Sequence, residues 1–226
     1  MKLTPKIDKS ITNDWHREFP NLSVYKPRHL LRRVGPLLIG VCLDRDSGGE
    51  KYKPCFHVHF LGKEFPVVSL TLCTQLKADS GGPEFVEVKF HEHKFMDAAR
   101  RLKQQAPLPL DDSNVDLGEI IDAYRLHMKT PLGNRQRVTL EADLIGLMML
   151  CDQRDWAKQE LEQVLQMPND SAFQTFGGKL EFKEMMSATI KNPAILAELV
   201  QSQIVHLGLK DISTSGINCE TLAKKK

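Results

Sequence analysis

Two apolar runs that lie close together in the sequence constrain the fold most. They cover residues 36–43 and 55–61, are rich in β-branched and aromatic residues, and are bounded by Pro, Gly and Asp. Runs of this length and composition are typical of β-strands. The polar stretch between them, residues 44–54, is too long for a tight hairpin turn and too polar for a core. We therefore predict two strands joined by a mobile loop.

Two further segments continue the strand pattern. Apolar and polar residues alternate over residues 65–76 and again over residues 84–93, where Val86, Val88 and Phe90 share one face. Period-two alternation predicts half-buried strands, and the loop-like connections favour antiparallel order. Residues 13–19 are expected to form a short helix after an irregular arm, and residues 27–33 a helical turn or a loop.

The second half of the chain has helical periodicity instead. Apolar stripes at helical spacing predict helices over residues 94–105, 116–129, 139–151, 156–167 and 179–190, and one that starts at 192–193. We therefore predict an α+β fold, with an N-terminal antiparallel sheet of three to four strands and one or two helices, followed by a C-terminal bundle of about five helices. The proline-rich residues 106–114 suggest domains over 1–106 and 107–226, and one continuous domain is the alternative.

Composition narrows the class of protein. With 41% apolar and 27% charged residues, the chain is typical of globular proteins. No apolar stretch is long enough for a membrane span or a secretory signal, so we expect no membrane association. The five cysteines include no CxxC pair, which argues against a disulfide framework and favours the reducing cytoplasm.

Basic residues gather locally, although the net charge of +2 is not that of a dedicated nucleic-acid-binding protein. One cluster precedes the first apolar run and another closes the helix predicted over 94–105. They make nucleic acid a candidate partner. The candidate contacts are Lys26, Arg28, Arg32, Arg33, Arg100 and Arg101.

Histidines form two pairs with strand spacing. His57 and His59 are two residues apart, as are His91 and His93, so each pair would lie on one side of a sheet. If the two strands were neighbours, four imidazoles would converge at distances that suit zinc or another transition metal. A divalent metal is thus the one candidate cofactor, and no other cofactor is expected.

Glu87 and Lys89 form a second candidate site. Glu87-Val-Lys89, on a predicted strand before a helix, resembles the ExK element of PD-(D/E)xK nucleases. In that family the carboxylate holds a divalent cation, and the lysine stabilises the attacked phosphate or orients the water. The resemblance implies a second carboxylate on the adjoining strand. Glu64 is the candidate for that role, because Asp79 falls in a predicted turn.

The sequence favours a binding protein over an enzyme. It contains no GxSxG, GxGxxG or HExxH motif. Sheet edges and methionine-rich helices are features that dock on other chains. We therefore expect a non-catalytic accessory or adaptor subunit that assembles with other protein subunits, including those of nucleic-acid-associated complexes. The alternatives are a metal-dependent nuclease or phosphodiesterase and a histidine-based metal-binding module.

Overall fold

The chain folds into two compact units. The computed structural model describes residues 4–111, 113–168 and 170–219. The sheet unit contains the residues up to His59, Val68–Val115 and Gly208–Gly216. The helical unit contains Phe60–Val67, Asp116–Leu207 and the residues from Ile217. Each unit is therefore built from segments that are far apart in the sequence.

The predicted α+β fold class is confirmed, with an antiparallel sheet in the N-terminal part and a group of about five helices after it. The strands are β1 Ser23–Lys26, β2 His29–Val34, β3 Leu37–Arg45, β4 Lys51–Phe60, β5 Leu72–Gln75, β6 Val86–Glu87, β7 Val115–Asp116, β8 Thr214–Ser215 and β9 Ile217–Asn218. The helices are α1 Pro5–Glu18, α2 His91–Gln105, α3 Leu117–Met128, α4 Pro131–Arg135, α5 Arg137–Leu150, α6 Arg154–Leu165, α7 Lys179–Lys191 and α8 Pro193–His206. Two 3-10 helices cover Val88–Phe90 and Asp170–Phe176.

The sheet has the order β1-β2-β3-β4-β5, with β6 paired to β4. Strand β8 pairs in parallel with the end of β2. The N–H of Arg33 donates to the carbonyl of Ser213 at 2.8 Å, and that of Gly35 donates to Ser215 at 2.9 Å. A late segment of the chain thus completes the hydrogen bonding of an early strand.

Helix α1 is longer than the predicted helix over residues 13–19. It starts at Pro5, because the side chain of Thr4 accepts a hydrogen bond from the N–H of Ile7 and proline occupies the first helical position. Trp15 is fully buried and contacts the Tyr52 ring edge-on, with 6.2 Å between ring centroids. This contact places α1 against one face of β4.

The predicted mobile loop over residues 44–54 is mostly strand. β3 extends to Arg45 and β4 begins at Lys51, so only residues 46–50 connect them. Asp46 closes the turn, since its carboxylate accepts hydrogen bonds from the N–H groups of Glu50 at 3.1 Å and Lys51 at 3.3 Å. The polar composition of residues 44–54 therefore led to the prediction of a loop where the two strands continue into a hairpin.

The helical turn or loop predicted over residues 27–33 is also wrong, because β2 occupies His29–Val34. The chain turns at Arg28, whose φ is +63°. Contacts with α1 hold that turn: the N–H of Arg28 donates to Oγ1 of Thr12 at 2.8 Å, and its guanidinium lies 2.8 Å from Asp8. Long-range contacts of this kind leave no local signal.

The strand predicted over residues 65–76 is correct only for β5, Leu72–Gln75. Before it, backbone donors bond to side chains instead of a neighbouring strand. The N–H of Phe65 donates to the amide oxygen of Gln203 at 3.1 Å, and the N–H of Ser69 donates to Nδ1 of His59 at 3.2 Å.

The strand predicted over residues 84–93 ends at Glu87, after which a 3-10 helix and α2 follow. The alternation on which it rested does not hold, because Phe90 is 41% exposed while Val86 and Val88 are buried.

In the helical unit, α5 is the central helix, as its apolar sequence predicted. It is buried over most of its length and packs against α3, α6, α7 and α8. Helix α8 starts with proline at its first position, as predicted. Among the described residues, no helix combines the length and apolarity needed to cross a bilayer.

Candidate functional site

His57 and His59 lie on the same face of β4, and both are fully buried. His29 of β2 joins them, with its Nε2 2.7 Å from Nε2 of His57. Nδ1 of His59 lies 2.8 Å from Oγ of Ser69. Burial, with Lys26 nearby, lowers the pKa of His29 to about 4. Burial also lowers the pKa of His57, so both imidazoles are neutral at pH 7.

Three thiols lie beside these imidazoles. In the strand register, His57 lies opposite Cys73 of β5, and His29 lies opposite Cys42 of β3. Cys55 lies two residues before His57 on β4. Hydrogen bonds with Cys42 and Cys73, together with burial, raise the pKa of the Cys55 thiol. Across residues 4–111, 113–168 and 170–219, however, no group of three or more His, Cys, Asp or Glu side chains is placed to hold a metal ion.

His91 and His93 do not lie on the predicted strand, because helix α2 begins at His91. His93 is exposed, whereas His91 is buried next to Tyr52. Because side chains alternate along a strand, Tyr52 and His57 leave opposite faces of β4. The structure therefore does not bring the two histidine pairs together.

Instead, His91 belongs to a network of hydrogen bonds between polar side chains in the sheet unit. Its Nδ1 lies 2.8 Å from the hydroxyl of Tyr52, and its Nε2 lies 3.0 Å from Asp14. The hydroxyl of Tyr52 also accepts a hydrogen bond from Nε1–H of Trp15 at 3.1 Å. Burial raises the pKa of Tyr52, which keeps its hydroxyl protonated. These hydrogen bonds connect α1, β4 and α2.

Glu87 and Lys89 are not on one continuous strand, since Lys89 follows the end of β6. Nζ of Lys89 is 3.1 Å from Glu87, and the two side chains are 55% and 46% exposed. Glu64 is exposed as well, but it belongs to the helical unit whereas the other two belong to the sheet unit. Their catalytic role stays a prediction.

Arg32, predicted as a nucleic-acid contact, is only 2% exposed. Its guanidinium donates to the carbonyls of Pro109 at 3.0 Å and Ser113 at 3.2 Å, and to Oγ of Ser215 at 3.3 Å. These contacts fasten the proline-rich segment to β2. The guanidinium is therefore engaged within the sheet unit, and a nucleic-acid contact by Arg32 stays a prediction.

The other residues of that cluster differ in exposure. Lys26 is exposed, whereas Arg28 is partly buried and uses its guanidinium on the carboxylate of Asp8. Arg33 donates to the carbonyl of Gly35 at 3.2 Å. Nucleic-acid binding by Lys26, Arg28 and Arg33 stays a prediction.

The basic pair in α2 is likewise engaged in ion pairs. The guanidinium of Arg101 is 16% exposed and contacts the carboxylates of Glu84 and Asp97. Arg100, 61% exposed, also pairs with Asp97. The exposed pair of Arg100 with Asp97 can exchange partners at little cost, whereas Arg101 is mostly buried; nucleic-acid binding by these two residues stays a prediction.

The helical unit contains a buried ion pair that the sequence analysis did not select. Asp143 of α5 is 3% exposed and pairs with Lys63, whose amine also donates to the carbonyl of Thr139 at 3.0 Å. Burial raises the pKa of Asp143 to about 6, although the charge of Lys63 opposes the rise.

Beside this pair, α5, α7 and α8 form an apolar groove of about 390 Å³. Phe60 lies at its floor, where Gly62 and Gly146 leave room for the ring: a Cβ on Gly146 would lie 3.0 Å from it. Met185 and Ile195 line the groove, yet they are 42% and 61% exposed. Large apolar side chains are therefore exposed to water beside the groove.

A polar pocket of about 450 Å³ lies between α3, α5 and α6 of the helical unit. Glu141 and Glu160 are buried in its wall. Arg125 lies 3.0 Å from Glu160, and Arg137 lies 3.6 Å from Glu141. Burial and the neighbouring Glu160 raise the pKa of Glu141 to about 7. Near neutral pH Glu141 is therefore protonated part of the time, and its proton can be shared with Glu160 in a hydrogen bond.

Neither pocket was predicted from the sequence, for different reasons. The charged Glu141 and Asp143 interrupt a helix that is otherwise apolar, and this was a usable signal, since buried carboxylates are rare unless paired. No sequence signal connects Phe60 with α8, because that contact depends on tertiary packing.

No family model, no curated protein and no solved structure matches the chain. A function for this chain is therefore argued from its residues and their geometry.

Proposed function

We propose that this chain is a non-catalytic adaptor whose helical unit binds an amphipathic helix of another protein in the apolar groove. The observation that carries the proposal is the groove of about 390 Å³ with the exposed side chains of Met185 and Ile195 beside it. Burying these side chains against a partner would remove apolar surface from water, which favours association.

The composition of the groove supports a helix as its occupant. Methionine side chains adapt to differently shaped apolar partners, and here Met185 and Met186 combine with the aromatic ring of Phe60. Along α8 the lining extends from Ile195 to Leu199, which is about one helical turn. That length suits two apolar anchors at positions i and i+4 of a bound helix.

The state of the cysteines supports placing this adaptor in the reducing cytoplasm. Cys42, Cys55, Cys73, Cys151 and Cys219 are all free thiols. Proteins of oxidising compartments usually pair such residues.

The experiment is a selection from a displayed library of helical peptides against the full-length chain. We expect enrichment of peptides that carry apolar residues at i and i+4, and direct binding of the selected peptides by fluorescence anisotropy. Ile195→Asp should weaken binding about tenfold or more, because it places a charge in the apolar contact.

Val205→Asp is the matched control. Val205 lies on the same helix, has the same 61% exposure as Ile195 and does not line the groove. We expect this variant to bind like the wild type. The adaptor proposal fails if the library yields no binder, if both variants bind equally well, or if the groove takes up only small apolar dyes.

A further inference from the structure

The polar pocket of the helical unit has features of a ligand site that are independent of the apolar groove. Its volume of about 450 Å³ is in the range of small-molecule sites. Its residues come from α3, α5 and α6, which are packed helices rather than loops. Sites on regular elements hold their side chains in defined positions.

Glu141 is the least satisfied group in this pocket. Its side chain is 7% exposed, and its Oε2 has no hydrogen-bond donor among the described residues. The neighbouring carboxylate of Glu160, 9% exposed, can supply only a shared proton. A buried oxygen of this kind is stabilised by a proton or by a cation that donates hydrogen bonds.

Positive charge surrounds the two carboxylates. Arg125 and Arg137 are each 49% exposed, and each has one ion-pair contact with a pocket carboxylate. A guanidinium carries five N–H donors in a planar fork, so most donors of each remain for an anionic group. Lys129 adds a third cation to the lining. With one proton shared by the carboxylates, the pocket carries an excess of positive charge.

We propose that this pocket binds a small zwitterion, an α-amino acid with an aliphatic side chain. The ligand ammonium replaces the shared proton and donates to Glu141 and Glu160. The ligand carboxylate binds the guanidinium groups of Arg125 and Arg137.

The apolar part of the lining accounts for the ligand's side chain. Met128, Val164 and Met167 line the same pocket and can contact an aliphatic group. An ammonium suits the carboxylate pair better than a metal ion does. Cations such as Mg²⁺ and Ca²⁺ need several oxygen ligands, and the described residues contain no group of three or more His, Cys, Asp or Glu placed to hold one.

The pKa of about 7 for Glu141 agrees with this exchange. Near neutral pH the shared proton leaves readily, and a ligand ammonium takes over its charge. Titration calorimetry in buffers of different ionisation enthalpy should therefore show the release of about one proton per ligand at pH 6 and about half a proton at pH 7, because Glu141 is only about half protonated at its pKa.

The test measures thermal unfolding of the full-length chain with each proteinogenic L-amino acid at millimolar concentration. We expect at least one aliphatic amino acid to raise the melting temperature, because a ligand that binds the folded state stabilises it. The amine and the carboxylic acid with the same side chain should bind about tenfold more weakly or worse, since each lacks one charged contact.

Glu141→Gln should abolish the shift, because it removes the negative charge while it keeps the shape of the side chain. Glu162→Gln is the matched control: it lies on α6, is exposed and does not line the pocket. Ile195→Asp should also leave the shift unchanged, so a failure of this site and a failure of the adaptor groove are distinguishable. The proposal is overturned if no amino acid raises the melting temperature, if the acid alone binds equally well, or if Glu141→Gln retains the shift.

Discussion

Replacing Asp143 with asparagine should change how the stability of the chain depends on pH. Asp143 is buried in α5 next to Lys63, and its pKa in the folded chain is about 6, compared with an ordinary value of 3.8. The folded state therefore holds the proton more tightly than the unfolded state does. The contribution of Asp143 to the free energy of unfolding is therefore fully present below pH 3.8 and is lost as the pH rises through 6.

The rise of the pKa from 3.8 to about 6 corresponds to about 3 kcal/mol, at about 1.4 kcal/mol per pKa unit. Asparagine resembles the protonated acid in shape and does not titrate. The stability difference between Asp143→Asn and the wild type should therefore move in favour of the variant by about 3 kcal/mol between about pH 3 and pH 8. Other titrating groups are common to both proteins and cancel in this difference.

Urea unfolding followed by circular dichroism measures both proteins at each pH. Lys63→Met serves as a second perturbation, because the Lys63 charge is what opposes the rise in the pKa of Asp143. In Lys63→Met the pKa of Asp143 should rise further, so the free energy of unfolding should fall more steeply with increasing pH than in the wild type. Parallel pH profiles for the wild type and Asp143→Asn would refute the reasoning.

Two further substitutions test the sheet unit. Tyr52→Phe should cost about 1–3 kcal/mol of unfolding free energy, because Trp15 and His91 both lose a buried hydrogen-bond partner. A loss below about 0.5 kcal/mol in urea unfolding would contradict that role. Arg32→Met should cost about 3 kcal/mol, since it leaves two carbonyls and a hydroxyl without their donor. Arg100→Met is its exposed control, and a comparable loss in both variants would argue against a special role for Arg32.

Local patterns predicted the helices well and the strands unevenly. The stripe of α3 and the Asn192–Pro193 start of α8 depend on neighbours within one or two turns, and both match the structure. The alternation at Val86 and Val88 was too short to define a strand, because Phe90 does not continue it into the core. The N–H of Phe65 bonds to the side chain of Gln203 instead of to a neighbouring strand, and the alternation of apolar and polar residues does not reveal this.

The candidate sites depended still more on long-range contacts. His57 and His59 share a face as strand spacing required, but their neighbour His29 comes from a strand that was predicted to be a helical turn or a loop. His91 lies beside Asp14, which is distant in sequence, and the pair follows only from the packing of α1 and α2. Residue type therefore indicated which side chains could act as ligands or proton carriers. Which side chains lie next to them is decided by tertiary packing, and the sequence did not predict it.

The pairing of β8 with β2 has a consequence for biosynthesis. During translation the N-terminal strands leave the ribosome long before Gly208–Gly216 does, and domains generally fold as they emerge. Until that late segment arrives, the N–H groups of Arg33 and Gly35 lack the carbonyls of Ser213 and Ser215. Until then these two donors are unpaired, and unpaired strand backbone is a template on which another chain can pair.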